Sequence, residues 1–233
     1  MDALPDILGL LYAAHSSFTS VRLNIRDWRR QDLAHEALTR WASQNSSRRY
    51  VVNEPASTVY EREYRLWLER PWRWRWEAET GSGVGTTVYD PARQRGGTFA
   101  TAVGSLFKRN NPRQSYTDDP EIEYHGASYL MYVLDPIRVL PYVTIGDIGE
   151  PIEHAGRPVI PITCTAIERG DGPDEGLFSG ADGYELLVDA DRGLVLGISA
   201  HLDGEEFFRY QVTEIAYDEP LANGVFDPTR PPA

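Results

Sequence analysis

The sequence predicts a mainly β, mostly antiparallel fold of the α+β kind, with residues 1–233 forming one domain. Three observations predict it. Apolar and polar residues alternate with a period of two over 21–26, 59–69 and 72–77, as strands with one buried face require. The second half reads as short strands separated by tight turns, which implies sequential antiparallel pairing. Helical spacing is confined to short stretches near the N-terminus, at 31–47 and at 127–140.

Leu4, Ile7, Leu8 and Leu11 recur at helical spacing, with Pro5 and Asp6 suited to a first turn, so an amphipathic helix is expected within residues 1–16. From Phe18 to Arg30, Val21, Leu23 and Ile25 face one way and Arg22, Asn24 and Arg26 the other, a strand packed on one side. Residues 31–47 are richer in helix formers, with Leu33, Ala37, Leu38 and Trp41 on one side. In 59–69, Tyr60, Tyr64, Leu66 and Leu68 alternate with Glu61, Glu63, Arg65 and Glu69, and Trp67 breaks the pattern. Beyond Arg70-Pro71, Trp72, Trp74 and Trp76 alternate with Arg73, Arg75 and Glu77, which puts three indoles on one sheet face and three charges on the other.

Residues 82–118 read as a variable loop region, with strand candidates at Thr86–Tyr89 and Thr98–Val103 and a polar loop from Lys108 to Asp119; this region is expected to be the most mobile. Leu130, Val133 and Leu134 then recur at helical spacing, and Asp135-Pro136 reads as an N-cap and first-turn proline opening a second short helix through Leu140. Strands follow at Gly146–Ile152, Pro158–Ile167, Gly183–Val188, Leu194–Leu202 and Glu206–Tyr217, with Asp189–Gly193 and Asp203-Gly204 as hairpin turns. The Pro-rich tail, 218–233, is expected to be extended.

With 23 basic and 35 acidic residues the chain carries a net charge of −12, which repels phosphate backbones and anionic membrane surfaces. No window approaches the roughly 18 consecutive apolar residues of a membrane span. The N-terminus, Met1-Asp-Ala-Leu-Pro-Asp6, is acidic where a secretory signal is basic, so a cytoplasmic location is expected. The single cysteine, Cys164, excludes an internal disulfide and reads as a buried core residue. His15, His35, His125, His154 and His201 are too scattered for a metal site, and no cofactor is expected.

Motifs that carry chemistry fail on inspection. Gly81-Ser-Gly-Val-Gly85 precedes a strand pattern, so a hairpin turn is expected there and not a phosphate cradle. Gly126-Ala-Ser128 lacks the second glycine of a nucleophile elbow. Asp189-Ala-Asp191-Arg-Gly193 has no glutamate at the twelfth position of a calcium loop. Asp118-Asp119 and Glu205-Glu206 read as surface charge, and Lys108, Arg109 and Arg113 as a loop. No nucleophile, base and orienter assemble, so no enzyme is expected. The aromatic face of Tyr60, Tyr64, Trp72, Trp74 and Trp76 is either a filled core or the wall of a ligand cavity; the close packing of protein interiors taken alone favours the core.

Residues 121–228 resemble the C-terminal part of the LolA-like lipoprotein-carrier superfamily, which includes the LppX/LprG lipoproteins and the RseB stress sensor. The resemblance rests on Leu134-Asp-Pro136-Ile-Arg-Val-Leu140, His154-Ala-Gly-Arg157-Pro158, Gly183-Tyr-Glu-Leu-Leu-Val-Asp189-Ala-Asp-Arg-Gly193-Leu-Val-Leu196, Ile215-Ala-Tyr-Asp-Glu-Pro220-Leu and Val225-Phe226-Asp-Pro228. It does not extend to residues 31–56 or 82–118. It implies a strongly curved antiparallel sheet, an unclosed β-barrel, with short helices plugging the concave face and an apolar cavity between. Such a cavity shields acyl chains at about 25 cal/mol per Å². The implied ligand is an apolar or lipid-like molecule, held by Tyr60, Tyr64, Trp72, Trp74 and Trp76 on the sheet and Leu130 and Leu134 on the plug. The chain is expected to depart from that superfamily in having no signal peptide or lipobox cysteine, which puts envelope lipoprotein transport in doubt. An RseB-like regulatory or protein-interaction module is the second expectation, motivated by the acidic surface.

Overall fold

The computed structural model describes residues 3–44, 58–70, 73–80, 83–89, 97–102, 105–109, 128–167 and 177–227. The elements in chain order are α1 (Ala3–Ala13), β1 (Ser20–Arg30), α2 (Gln31–Gln44), β2 (Val59–Glu69), β3 (Arg73–Thr80), β4 (Gly83–Tyr89), β5 (Gly97–Ala102), β6 (Ser105–Arg109) and α3 (Ser128–Leu134), followed by β7 (Val143–Ile148), β8 (Ile152–His154), β9 (Arg157–Ala166), β10 (Gly183–Asp189), β11 (Val195–Leu202) and β12 (Glu205–Tyr217). Short 3-10 turns at Pro136–Arg138 and Leu140–Tyr142 join α3 to β7.

The strands hydrogen-bond in the order β6-β5-β4-β3-β2-β1-β12-β11-β10-β9-β7, with β8 also on β9. The path is open and does not close into a barrel, and the pairings from β2 to β6 and from β7 to β12 are antiparallel. This is the mainly β fold with a few short helices that the period-two pattern predicts. Contacts divide the chain into two compact units. The first is Met1–Ser17, Asp27–Glu61 and Tyr124–Gln211; the second is Phe18–Arg26, Arg62–Glu123 and Val212–Ala233, so β1, β2 and β12 supply residues to both.

In the first unit the core is built from rows that run across the strands. Ile162, Leu186, Ile198 and Tyr210 stand opposite one another, as do Cys164, Tyr184, Ala200 and Phe208, and all eight are buried. Leu130 and Val133 of α3 are fully buried, and α3 packs on β11. Two glycines with positive φ admit the helices. A Cβ at Gly193 (φ +75) would lie 2.1 Å from the Leu10 carbonyl oxygen of α1, and one at Gly180 (φ +84) would lie 1.9 Å from the Ala37 carbonyl oxygen of α2. Only a residue without Cβ lets helix backbone approach so closely. The Arg192 guanidinium adds a bond to the Ser17 carbonyl just beyond α1.

In the second unit β1 keeps the expected alternation, with Val21, Leu23 and Ile25 buried and Arg22 and Arg26 exposed. β2 and β3 pair from Tyr64 opposite Ala78 to Glu69 opposite Arg73. β3 and β4 pair out to Thr80 opposite Gly83, as the hairpin reading of Gly81–Gly85 requires.

Three local expectations change. β4 and β5 stand where strands were expected, but Lys108, the expected start of a polar loop, lies within β6 opposite Phe99, and the remainder of that loop, 110–119, lies outside the described residues. Asp135 makes no capping bond; its carboxylate instead accepts from Arg138 Nε at 2.7 Å. In the described part of the tail, 218–227, the chain turns where an extended run was expected, the Val225 N–H donating to the Ala222 carbonyl and the Asp227 N–H to the Gly224 carbonyl.

Candidate functional site

The residues singled out in the sequence divide between the two units. Trp72 lies outside the described residues. In the second unit, the hairpin register sets Leu66 opposite Trp76 and Leu68 opposite Trp74, with Tyr64 next along the same face. The rings of Tyr64 and Trp76 stack at 4.6 Å and 20°. The result is a continuous apolar face of Tyr64, Leu66, Leu68, Trp74 and Trp76. Alternation puts these five on one side because successive strand residues point to opposite faces. All five are buried, none more than 7% exposed, so a ligand reaching the indoles must first displace what covers them.

In the first unit, Leu130 and Leu134 are buried on α3 as expected. Tyr60 is half-buried and stands in a more polar setting than an apolar wall. The Arg29 guanidinium lies 5.3 Å from its ring centroid and 5.2 Å from that of Phe208, while Arg29 Nε and Nη2 donate to the two oxygens of Asp27 at 3.1 and 2.9 Å. Asp27 is fully buried. A carboxylate can be held there because a bidentate guanidinium satisfies it and two rings supply the cation with π faces. Its signal in the sequence was an acid in the apolar phase of β1, with an arginine two residues on.

The reverse face of the β2–β3 hairpin holds what sequence reasoning missed. Arg75 and Glu77 were expected on a charged face; they are 2% and 3% exposed. Arg75 Nε donates to Glu77 Oε1 at 2.8 Å, and Arg75 Nη1 donates to the carbonyls of Val225 and Asp227, both at 3.1 Å. Arg65 reaches Glu77 from β2 at 3.3 Å. The C-terminal segment covers this face: Val225 and Phe226 join Trp67 and Val88 in a separate apolar cluster, with Leu221 against it. The Arg73 guanidinium sits 4.5 Å over the Phe226 ring. Trp67, the residue that broke the alternation, is thus apolar because the tail packs on it.

The remaining buried carboxylate among the described residues, Asp189, is held by structural partners. It accepts from Arg157 Nε at 3.1 Å and from the N–H groups of Asp191 and Arg192, both at 2.9 Å, which fixes the β10–β11 turn. Burial pushes the Cys164 thiol up to about 12 and the Tyr132 hydroxyl up to about 12, and it raises that of Tyr184 further. All three stay neutral at ordinary pH. Among the described residues no group of three His, Cys, Asp or Glu could hold a metal ion, and no helix is long and apolar enough to cross a membrane.

An open antiparallel sheet carrying short helices is a fold this chain shares with MucB. The crystal structure of MucB matches 94% of this chain with a TM-score of 0.52 at 16% sequence identity, and MucB in complex with MucA(peri) matches 94% with a TM-score of 0.50 at 15% identity. The chain spans 60% and 57% of the length of those two chains. No protein-family model matches the sequence, and no curated protein matches it.

Proposed function

We propose that the chain binds an apolar or lipid-like molecule without transforming it, and that the contact surface is the face of Tyr64, Leu66, Leu68, Trp74 and Trp76 in the second unit. The observation that carries the reading is the stacked, unbroken aromatic and aliphatic face on one hairpin, on a fold shared with MucB. Such a face offers an acyl chain only apolar contact, and each Å² removed from water contributes about 25 cal/mol. The buried carboxylates Asp27, Glu77 and Asp189 are each engaged by a guanidinium, so their oxygens are taken up by structural bonds. This supports a binding role over a catalytic one.

Titration with cis-parinaric acid, read by energy transfer from indole to probe, tests the reading. Saturable transfer in the native chain, lost in Trp74→Ala and Trp76→Ala variants that remain folded, is the expected result. Transfer that is absent or non-saturable contradicts it. A second reading, a regulatory module that binds a protein, is favoured by one specific observation: MucB is solved in complex with MucA(peri).

A further inference from the structure

We propose that the C-terminal segment 218–227 is a reversible strap whose release from the back of the β2–β3 hairpin admits an apolar ligand to the front; the proposal rests on the binding reading above. The strap has a fixed end and a latching end. At the fixed end Asp218 adopts a left-handed conformation (φ +56), and its Oδ1 accepts from the Thr19 N–H at 2.7 Å, the Thr19 hydroxyl at 2.8 Å and the Ser20 N–H at 3.3 Å. A non-glycine residue persists there because three bonds hold it. At the latching end Val225 and Phe226 insert beside Trp67 and Val88, and Arg75 grips the carbonyls of Val225 and Asp227.

The surface beneath the latch is what makes lifting feasible. Arg65, Glu69, Arg73, Arg75 and Glu77 alternate onto that face, a pattern proper to a sheet side that meets water, and Trp67, Val84 and Val88 interrupt it. A buried Arg–Glu pair gains little over its solvated form, because both ions recover their hydration when uncovered. The closed strap is held by Val225 and Phe226 with Leu221 against them, by the Arg73 guanidinium over Phe226 and by the bonds to Arg75, while much of the face beneath is already patterned for solvent. Local opening of such a unit is available without global unfolding.

Front and back belong to the same two strands. Trp67 opposite Arg75 on the back is flanked in register by Leu66 opposite Trp76 and Leu68 opposite Trp74 on the front. With the strap closed the hairpin is clamped and its indoles are buried. With it open, β2 and β3 lose their rear support, and the front face can part to take a chain.

Hydrogen exchange and stopped-flow binding of cis-parinaric acid, on the full chain, test this together. The native chain should exchange the amides of 221–227 faster than those of β10 and β11, and Phe226→Ala should raise both β3 exchange and the probe's association rate by about tenfold, as expected for a larger open population. Arg75→Lys, which keeps the charge beside Glu77 but loses the forked donors to the carbonyls, should act in the same direction if Phe226→Ala fails to fold. Strap amides as slow as those of β10 and β11 would overturn the proposal, as would a faster strap with an unchanged association rate. A probe bound by neither native nor variant protein would overturn the apolar-ligand reading itself and the gate with it. That result is separable from a probe that binds at strap-independent rates.

Discussion

Replacing Gly193 with alanine, set against the same change at Gly156, isolates what close approach of α1 contributes. Both glycines have positive φ, +75 and +71, so a Cβ costs each site about 1 kcal/mol of conformational strain. At Gly156 nothing lies within 4 Å of the new methyl. At Gly193 the methyl carbon falls 2.1 Å from the Leu10 carbonyl oxygen, backbone that cannot rotate away. Relief requires α1 to move off, which loosens Ile7 and Leu11, each only 2% exposed. Full burial of each such side chain contributes about 1.5–3 kcal/mol. Gly156→Ala should therefore cost about 1 kcal/mol and Gly193→Ala distinctly more by urea unfolding, with a ceiling of about 4–7 kcal/mol when the helix undocks and both side chains are lost. Equal costs for the two variants, or a larger one at Gly156, would refute the reasoning.

Further predictions follow from the buried polar groups. Glu77→Gln leaves Arg75 buried without its counter-ion and should lower stability by about 3 kcal/mol, whereas Arg75→Met with Glu77→Leu should fall within about 1 kcal/mol of the native chain in urea unfolding. A double variant no more stable than Glu77→Gln would contradict the pairing. The thiol of Cys164, raised to about 12 by burial, should not react with iodoacetamide at pH 8 in the native chain and should react on unfolding. Burial, with Tyr142 beside it, raises the Tyr132 hydroxyl from 10 to about 12, so folding favours its neutral form. That contribution is complete below about pH 10 and is lost as pH climbs through about 12, which Tyr132→Phe should abolish in an alkaline stability profile.

Strand positions were legible wherever one face is buried and the other wet, because alternation records that asymmetry directly. β1 and β2 follow Val21–Ile25 and Tyr60–Leu68 for this reason. The hairpin's apolar front was legible too, since Trp74 and Trp76 share a phase with Leu66 and Leu68 through the register. Its back was not. Arg75 and Glu77 read as exposed because alternation reports residue type and carries no information on what a distant segment covers. The Val225-Phe226 pair lies about 150 residues from Arg75, and nothing local ties them. Asp135 was misread because its short side chain serves an N-cap and an ion pair equally well, and the nearby Arg138 decides between them.

Native mass spectrometry of the purified chain, followed by organic extraction, tests the central claim most directly. Binding of an apolar molecule to the Tyr64, Trp74 and Trp76 face predicts a discrete added mass, or one gained on incubation with a lipid mixture, that extracts into solvent and is lost in Trp76→Ala. A chain that stays at its bare mass after that incubation contradicts the claim.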